Sequence, residues 1–317
     1  MYLEDKIIQK LNSSFSKTNN NLIGIGDDCA YLNKENLLIS TDTFIEDVHF
    51  DLKKSNPKQV AVKFFNANYS DLQSSGGDPL YCFLNISFPK KKKLFIEIFL
   101  KNFTLLLKKY KIHLIGGDTT NSPNIISLTM TIVGKPHNKK IYLRSKAKEK
   151  ESIFTFSNIG YSKLGYDILY KSKRINNEKI NKKAINQFLN PKIHTYSHIL
   201  EKLSVSSCMD LSDGLVNDLI KFSKKSHKKF ILKNLNQINP TLFKYLNTND
   251  YYNYVLSSGE EFVPIFTAPF SKIKIIKDLF KKNTKVNIVN IGSIIRGKGI
   301  IAEEYDLNKI KSFNHFD

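Results

Sequence analysis

An α/β fold in two units is what this chain predicts, and three observations carry it. Strand-period and helix-period segments alternate along the first half, with small polar motifs where one gives way to the next. The 317 residues suit about two domains of roughly 150 residues each. A polar, Lys-rich stretch over 136–150 separates the first set of elements from a second.

The elements follow in order. The apolar run 37–40 reads as a short strand and puts Thr41-Asp42-Thr43 at its end. Pro57 opens a helix to about 74, with Val60, Phe64, Ala67 and Asp71 three or four residues apart. Asp71 then projects from the last turns, where the helix macrodipole disfavours an unpaired anion. Ser87-Phe88 runs up to Pro89, and 94–110 has helical periodicity with lysines on its outer face. His113-Leu114-Ile115 reads as a buried strand entering Gly116-Gly117-Asp118, and Ser127-Leu128-Thr129-Met130-Thr131-Ile132 has the alternation of a strand.

Beyond the boundary, 152–156 starts a fresh strand, and helical patterns cover 163–170 and 194–203. Met209-Asp210-Leu211-Ser212-Asp213-Gly214 opens a helix at 215–222, which places Asp213 near a helix N-terminus where backbone N–H groups receive anions. Strands recur at 262–266 and 286–291. Two domains are expected, 1–137 and 138–317.

Composition excludes several function classes. The chain carries 49 Lys+Arg against 29 Asp+Glu, a net charge of +20. The excess is mostly lysine in scattered runs such as 90–93, mixed with Asn and Ile, and it reads as a solvated basic surface. Helix-turn-helix, zinc-finger and RNA-recognition signatures are absent, so no nucleic-acid partner is expected. The N-terminus lacks a basic segment followed by an apolar one, and no apolar run approaches the ~18 residues of a membrane span. A soluble cytoplasmic protein without a membrane partner is expected. Cys29, Cys82 and Cys208 are far apart and form no Cys-x-x-Cys pair, which points to reduced structural thiols.

Against that basic background, carboxylates gather in five motifs: Gly26-Asp27-Asp28, Ser40-Thr41-Asp42-Thr43, Ser70-Asp71, Gly116-Gly117-Asp118-Thr119-Thr120 and Asp210-Leu211-Ser212-Asp213-Gly214. Carboxylates on Gly/Ser/Thr-rich turns beside apolar runs suit hard cations. Mg²⁺ takes oxygen ligands and is held by a few carboxylates together with substrate phosphates. Two other glycine patterns carry no such chemistry. The segment 292–299 has glycine where a phosphate-binding loop needs Ser or Thr, and Gly24-Ile25-Gly26 continues without the third glycine of a dinucleotide fingerprint.

Taken together with His49-Phe50, these motifs resemble, in order and spacing over most of the chain, those of the thiamine-monophosphate kinase family, within a superfamily that includes aminoimidazole ribonucleotide synthetase. The resemblance implies a two-domain fold of that superfamily, with an N-terminal sheet that forms a homodimer interface and an ATP site between the domains. It implies Asp28, Ser40, Thr41, Asp42, Asp71, Asp118, Asp210 and Asp213 as Mg²⁺ ligands. Gly117, Asp118, Arg144 and Ser212 would touch ATP, and His49, Glu260 and Phe313 would contact thiamine monophosphate. Read alone, His49 would be a partly buried structural histidine, Arg144 a surface cation and Phe313 a plug for the chain end.

The chain departs from the family where Gly-Gly-Glu-Asp-Tyr-Glu becomes Ser258-Gly259-Glu260-Glu261-Phe262-Val263. The implied reaction is direct in-line transfer of the ATP γ-phosphoryl to the acceptor phosphate, giving thiamine diphosphate. That phosphate, with a second pKa of about 6, is mostly dianionic at neutral pH and needs no general base, so no catalytic side chain is expected. Two other readings share features with the sequence: a superfamily relative acting on a different phosphorylated substrate, and a basic nucleic-acid-binding protein.

Overall fold

The computed structural model describes residues 3–15 and 22–310. Its first part contains α1 (Leu3–Phe15), β1 (Leu22–Ile23), β2 (Ala30–Leu32), β3 (Leu37–Ile45), α2 (Pro57–Ser74), β4 (Gly77–Phe88), α3 (Lys93–Lys109), β5 (His113–Asn121) and β6 (Ser127–Pro136). The strands form one sheet in the order β1-β2-β3-β6-β4-β5, antiparallel except for the parallel pair β4–β5. Strand alternation gives that sheet two unlike faces. Leu38, Phe44, Leu84, Ile86, Leu128, Met130 and Ile132 are buried in a core shared with Phe64, Phe65, Phe99 and Phe103 of α2 and α3. On the other face Thr41 pairs with Thr131 and Thr43 with Thr129 through side-chain hydrogen bonds of 3.0 and 2.8 Å, and Tyr81 and Phe83 are exposed.

The segment 137–150 carries only short 3₁₀ turns and joins this sheet to a second. There follow β7 (Glu151–Phe156), α4 (Tyr161–Lys171), α5 (Glu178–Leu189), α6 (Ser197–Glu201), β8 (Ser207–Asp210), α7 (Leu215–Ser226), β9 (Lys228–Leu232), α8 (Pro240–Tyr245), α9 (Thr248–Leu256), β10 (Pro264–Pro269), α10 (Ile273–Thr284), β11 (Ile288–Arg296) and β12 (Gly299–Ala302). Their sheet runs β12-β9-β11-β7-β10-β8. All six residues of β7 are buried, as expected for a central strand with side chains packed on both faces. A second core surrounds it, including Phe154, Phe156, Phe266 and Phe280.

The helix α2 is where the two parts meet. Asn56 and Gln59 form a reciprocal capping box of 3.0 and 2.9 Å, with Pro57 in the first turn, so local sequence starts this helix without help from packing. It is buried on nearly every side. Its polar residues reach the second part: Tyr69 to Thr195 at 2.7 Å, Asn66 to the Lys192 carbonyl at 3.3 Å, and Gln73 Oε1 accepting the N–H groups of Tyr196 and Ser197 at 2.7 and 3.0 Å.

Several local expectations change. Thr41-Asp42-Thr43 and Gly116–Thr120 do not sit on turns after strands; they lie within β3 and β5. A chain of small polar residues satisfies its backbone in a ladder as well as any other, and only pairing partners reveal that. The helical pattern at 194–203 contracts to α6, because the amides of Tyr196 and Ser197 are taken by Gln73. Within 292–299, β11 continues through Gly292 to Arg296, and residues 297–298 turn it into β12. Lys92 is no solvated cation; its ammonium is held by the buried Glu46 carboxylate and the Asn124 carbonyl. All three cysteines are free and buried, as expected.

Candidate functional site

Five aspartates converge where α2 meets the second sheet. Alternation along β3 turns Ser40 and Asp42 to the α2 side, and Ser40 Oγ donates to Asp71 Oδ2 at 2.5 Å. On α2, Ser74 follows Ser70 by four residues and Asp71 by three, so it lies beside both on the helix surface. Ser70 Oγ donates to Asp210 Oδ2 at 3.1 Å, and Ser74 Oγ donates to Asp28. Asp28 also accepts the Asp210 N–H at 3.0 Å and the Arg144 Nε–H at 3.0 Å, while the Arg144 N–H reaches Asp27 at 2.7 Å. Asp210 ends β8, and the loop after it presents Ser212 and Asp213, whose N–H groups both donate to Asp218 of α7, at 3.0 and 3.1 Å. Asp213 itself is paired with Lys221.

Burying so many like charges is costly, and the titration of the group reflects it. Burial, then the charges of Asp42, Asp210 and Asp28, hold the Asp71 carboxyl well above the ordinary range. Asp210 is raised for the same reason, with Asp28 and Asp218 as its charged neighbours. Asp42 is pushed up to about 6 by burial and by Asp213 and Asp28. Burial, then the charge of Asp213, pushes Asp218 up to about 7, and among the described residues its Oδ1 has no hydrogen-bond partner. These donors are carboxylate and hydroxyl oxygens, the set that suits a hard divalent cation. Among the described residues no three His, Cys, Asp or Glu side chains yet converge tightly enough to chelate one ion. Arg144 and Lys221 stand in as counter-charges on Asp28 and Asp213. Buried, mutually repelling oxygens with cationic stand-ins fit Mg²⁺.

Three sequence candidates are placed elsewhere. The Thr41 side chain faces away from Ser40 and Asp42 and bonds Thr131, so its main-chain oxygen is what it could offer a cation. Asp118 and Gly117 lie in β5, the outermost strand, all nine residues of which are exposed in one chain. Asp118 pairs in register with Asn85 and accepts the Thr119 N–H at 2.9 Å, and it does not join the buried aspartates. Gly117 has φ 150°, and a Cβ there would meet the Leu84 carbonyl oxygen at 1.9 Å, which requires glycine for β5 to approach β4.

His49 and Glu260 lie against α2 about two turns before Asp71, beside Lys63. His49 stacks on Phe44 with ring centroids 5.0 Å apart, and its Nδ1 accepts the Ile45 N–H at 3.0 Å, an assignment that puts the ring proton on Nε2. Glu260 is ion-paired with Lys63 at 2.7 Å, and its N–H donates to the Ser212 carbonyl at 2.7 Å. The loop that carries Glu260 is anchored on three sides. Phe262 sits in the first core, Glu261 accepts the N–H groups of Gly160 and Ser162 at the start of α4 together with the Ser258 hydroxyl, and a Cβ at Gly259 would meet the Ser212 oxygen at 2.6 Å. Phe313 lies outside the described residues.

Lys63, Ser74, Asp218 and Lys221 join the site without having been singled out, and Ser70, read only as the neighbour of Asp71, joins it through Asp210. A helix-face reading forward from Asp71 could have found Ser74, but nothing in the sequence marks Lys63 among so many lysines.

The family description "AIR synthase related protein, N-terminal domain" matches residues 26–135. With the two-sheet architecture and the junctional carboxylates, it places the protein in the aminoimidazole ribonucleotide synthetase-like class. The thiamine-monophosphate kinase of Buchnera aphidicola subsp. Schizaphis graminum is 36% identical over 99% of both chains, and that of Leptospira interrogans is 33% identical over 91% of this chain and 90% of its own. A solved structure of AaThiL complexed with AMPPCP and TMP superposes with a TM-score of 0.78 at 25% identity, covering 96% of each chain. The chain belongs to the thiamine-monophosphate kinase family.

Proposed function

We propose that the protein transfers the γ-phosphoryl group of ATP to the phosphate of thiamine monophosphate, giving thiamine diphosphate and ADP, by in-line displacement assisted by several Mg²⁺ ions. The observation that carries this reading is the meeting of Asp28, Asp42 and Asp71 from one part of the chain with Asp210 and Asp213 from the other. The relatives named thiamine-monophosphate kinase and the AaThiL complex with AMPPCP and TMP support the pair of substrates.

The residues divide the work. Asp28, Asp42, Asp71, Asp210 and Asp213, with Ser40 and the Thr41 main chain, would hold the cations; Asp118 is assigned to them by motif. Bound Mg²⁺ would neutralise phosphate charge as the two anionic substrates approach. Arg144, Ser212, Gly117 and Asp118 would hold the nucleotide, and His49, Glu260 and Phe313 the acceptor. An oxygen of the dianionic acceptor phosphate forms the new bond to the γ-phosphorus while the bond to the β–γ bridging oxygen breaks, so no proton has to be removed. The absence of a positioned base from this reading is a matter of chemistry: orientation and charge neutralisation supply the acceleration.

The reading includes domains at 1–137 and 138–317, a cytoplasmic location, and a homodimer formed through the first sheet. The open face with Tyr81 and Phe83 and the exposed edge strand β5 with Leu114 and Ile115 support the dimer, since an unpaired hydrophobic edge strand is a template for another chain. Among the described residues no helix is long and apolar enough to cross a membrane. The test is a coupled assay for ADP release with ATP and thiamine monophosphate, with and without Mg²⁺. Mg²⁺-dependent formation of thiamine diphosphate is expected, and none at any Mg²⁺ concentration would overturn the assignment.

A further inference from the structure

We infer that Lys63 is a positioning residue of the acceptor site, holding the Glu260 carboxylate in place through a buried ion pair; this rests on the acceptor role proposed above for Glu260. Lysine is rarely fully buried unless paired, yet only 5% of Lys63 is exposed, in the middle of a helix that packs against both parts of the molecule. Its ammonium is 2.7 Å from Glu260 Oε2, 3.5 Å from the His49 carbonyl oxygen and 4.0 Å from the centroid of the Phe188 ring. It therefore touches two residues assigned to the acceptor, one from each part of the chain, and the aromatic ring supplies a face for the cation.

The pair is built asymmetrically. The Lys63 side chain is 7% exposed and that of Glu260 32%. Lys63 takes Glu260 Oε2. The Glu260 backbone is held in the left-handed region at φ 53°, with its N–H on the Ser212 carbonyl. Strain of this kind in a non-glycine residue persists where surrounding contacts over-determine it. A carboxylate held on one oxygen by a buried cation, on a fixed backbone and still partly exposed, has the arrangement of a recognition group.

Lys63 also connects the two ends of the site. It lies eight residues before Asp71 on α2, on the same face as Ala67, Ser70 and Ser74, which places it about 12 Å along the helix from the carboxylate cluster. One rigid element thus carries an anionic end for cations and phosphates and a cationic end that orients Glu260.

The test compares Lys63→Met, Glu260→Gln, the double variant and Lys63→Arg with the parent protein in steady-state kinetics. Calorimetric titration with thiamine monophosphate supplies a readout independent of turnover. Losing a charged hydrogen bond of this kind is expected to raise the KM and Kd for thiamine monophosphate roughly tenfold or more in Lys63→Met, leaving the KM for ATP within about twofold. The double variant should be no worse than the poorer single variant, and Lys63→Arg should recover part of the affinity. Unchanged acceptor affinity in Lys63→Met, equal losses for both substrates, or additive losses in the double variant would overturn the inference. If Lys63→Met does not fold, the Arg and Gln variants decide it by the same criterion. A parent protein that binds but does not phosphorylate thiamine monophosphate refutes the kinase reading and leaves the binding arm to judge Lys63; one that does neither refutes both.

Discussion

Replacing Asp42 by Asn tests whether the junctional carboxylates are strained for want of a cation. Asp42 is pushed from 3.8 to about 6 by burial, then by Asp213 and Asp28. A folded-state value above the unfolded one means that the protonated group favours the fold: that contribution is complete below pH 3.8 and is lost as pH rises through about 6. The rise is about two units, so at about 1.36 kcal/mol each the ionised group costs the cation-free fold about 3 kcal/mol at pH 8.

Asn keeps the volume and removes the charge. In EDTA at pH 8, Asp42→Asn is therefore expected to be more stable than the parent by up to about 3 kcal/mol, several degrees in Tm for a chain of this size. The gap should close as the pH falls toward 4. Added Mg²⁺ should raise the parent's Tm more than the variant's, while the variant's kcat falls by orders of magnitude. Thermal melts followed by circular dichroism at the two pH values, with EDTA or Mg²⁺, and the coupled assay measure all of this. A variant less stable than the parent at pH 8 in EDTA, with an unchanged response to Mg²⁺, would refute the electrostatic argument, and near-normal turnover would refute the site.

Two further outcomes are expected. Burial pushes Glu261 up to about 7 against the pull of the Ser258 hydroxyl and the Gly160 and Ser162 N–H groups, so its contribution to stability is lost as pH rises from 4.5 through 7. Glu261→Gln should gain about 3 kcal/mol relative to the parent between pH 4.5 and pH 8, read from urea melts, and a pH-independent difference would contradict this. Phe83→Asp combined with Leu114→Asp places charge on the open face and edge of the first sheet. Sedimentation velocity should show a dimeric parent and a monomeric variant, and a monomeric parent at micromolar concentration would remove the proposed interface.

Much of the fold was legible because its signals are local. The helix α2 is written in Asn56, Pro57 and Gln59, which cap it, and in apolar positions three or four residues apart, and the expected span of 57–74 matches the structure. The strands β6 and β7 were equally plain from alternation and from a continuous apolar run. The helices α1, α5, α8, α9 and α10 were not read; α8 is short, and polar or lysine residues dilute the apolar stripes of the others. The Ser40 and Gly116 motifs were read as turns because glycine and small polar residues favour turns; whether such a segment joins a ladder depends on partners distant in sequence.

The same division runs through the site. The family and most of the aspartates were readable from the sequence alone, because short motifs in fixed order survive in a linear chain whatever lies between them. Only the tertiary structure decided which of those residues meet. It turned the Thr41 side chain to the opposite face from Asp42, left Asp118 on an outer strand apart from the buried aspartates, and set Lys63 against Glu260 from 197 positions away (260 − 63). Strand alternation, sheet order and the packing of α2 between the two parts are relations among distant residues, and one lysine among many becomes singular only once the fold has buried it beside a carboxylate.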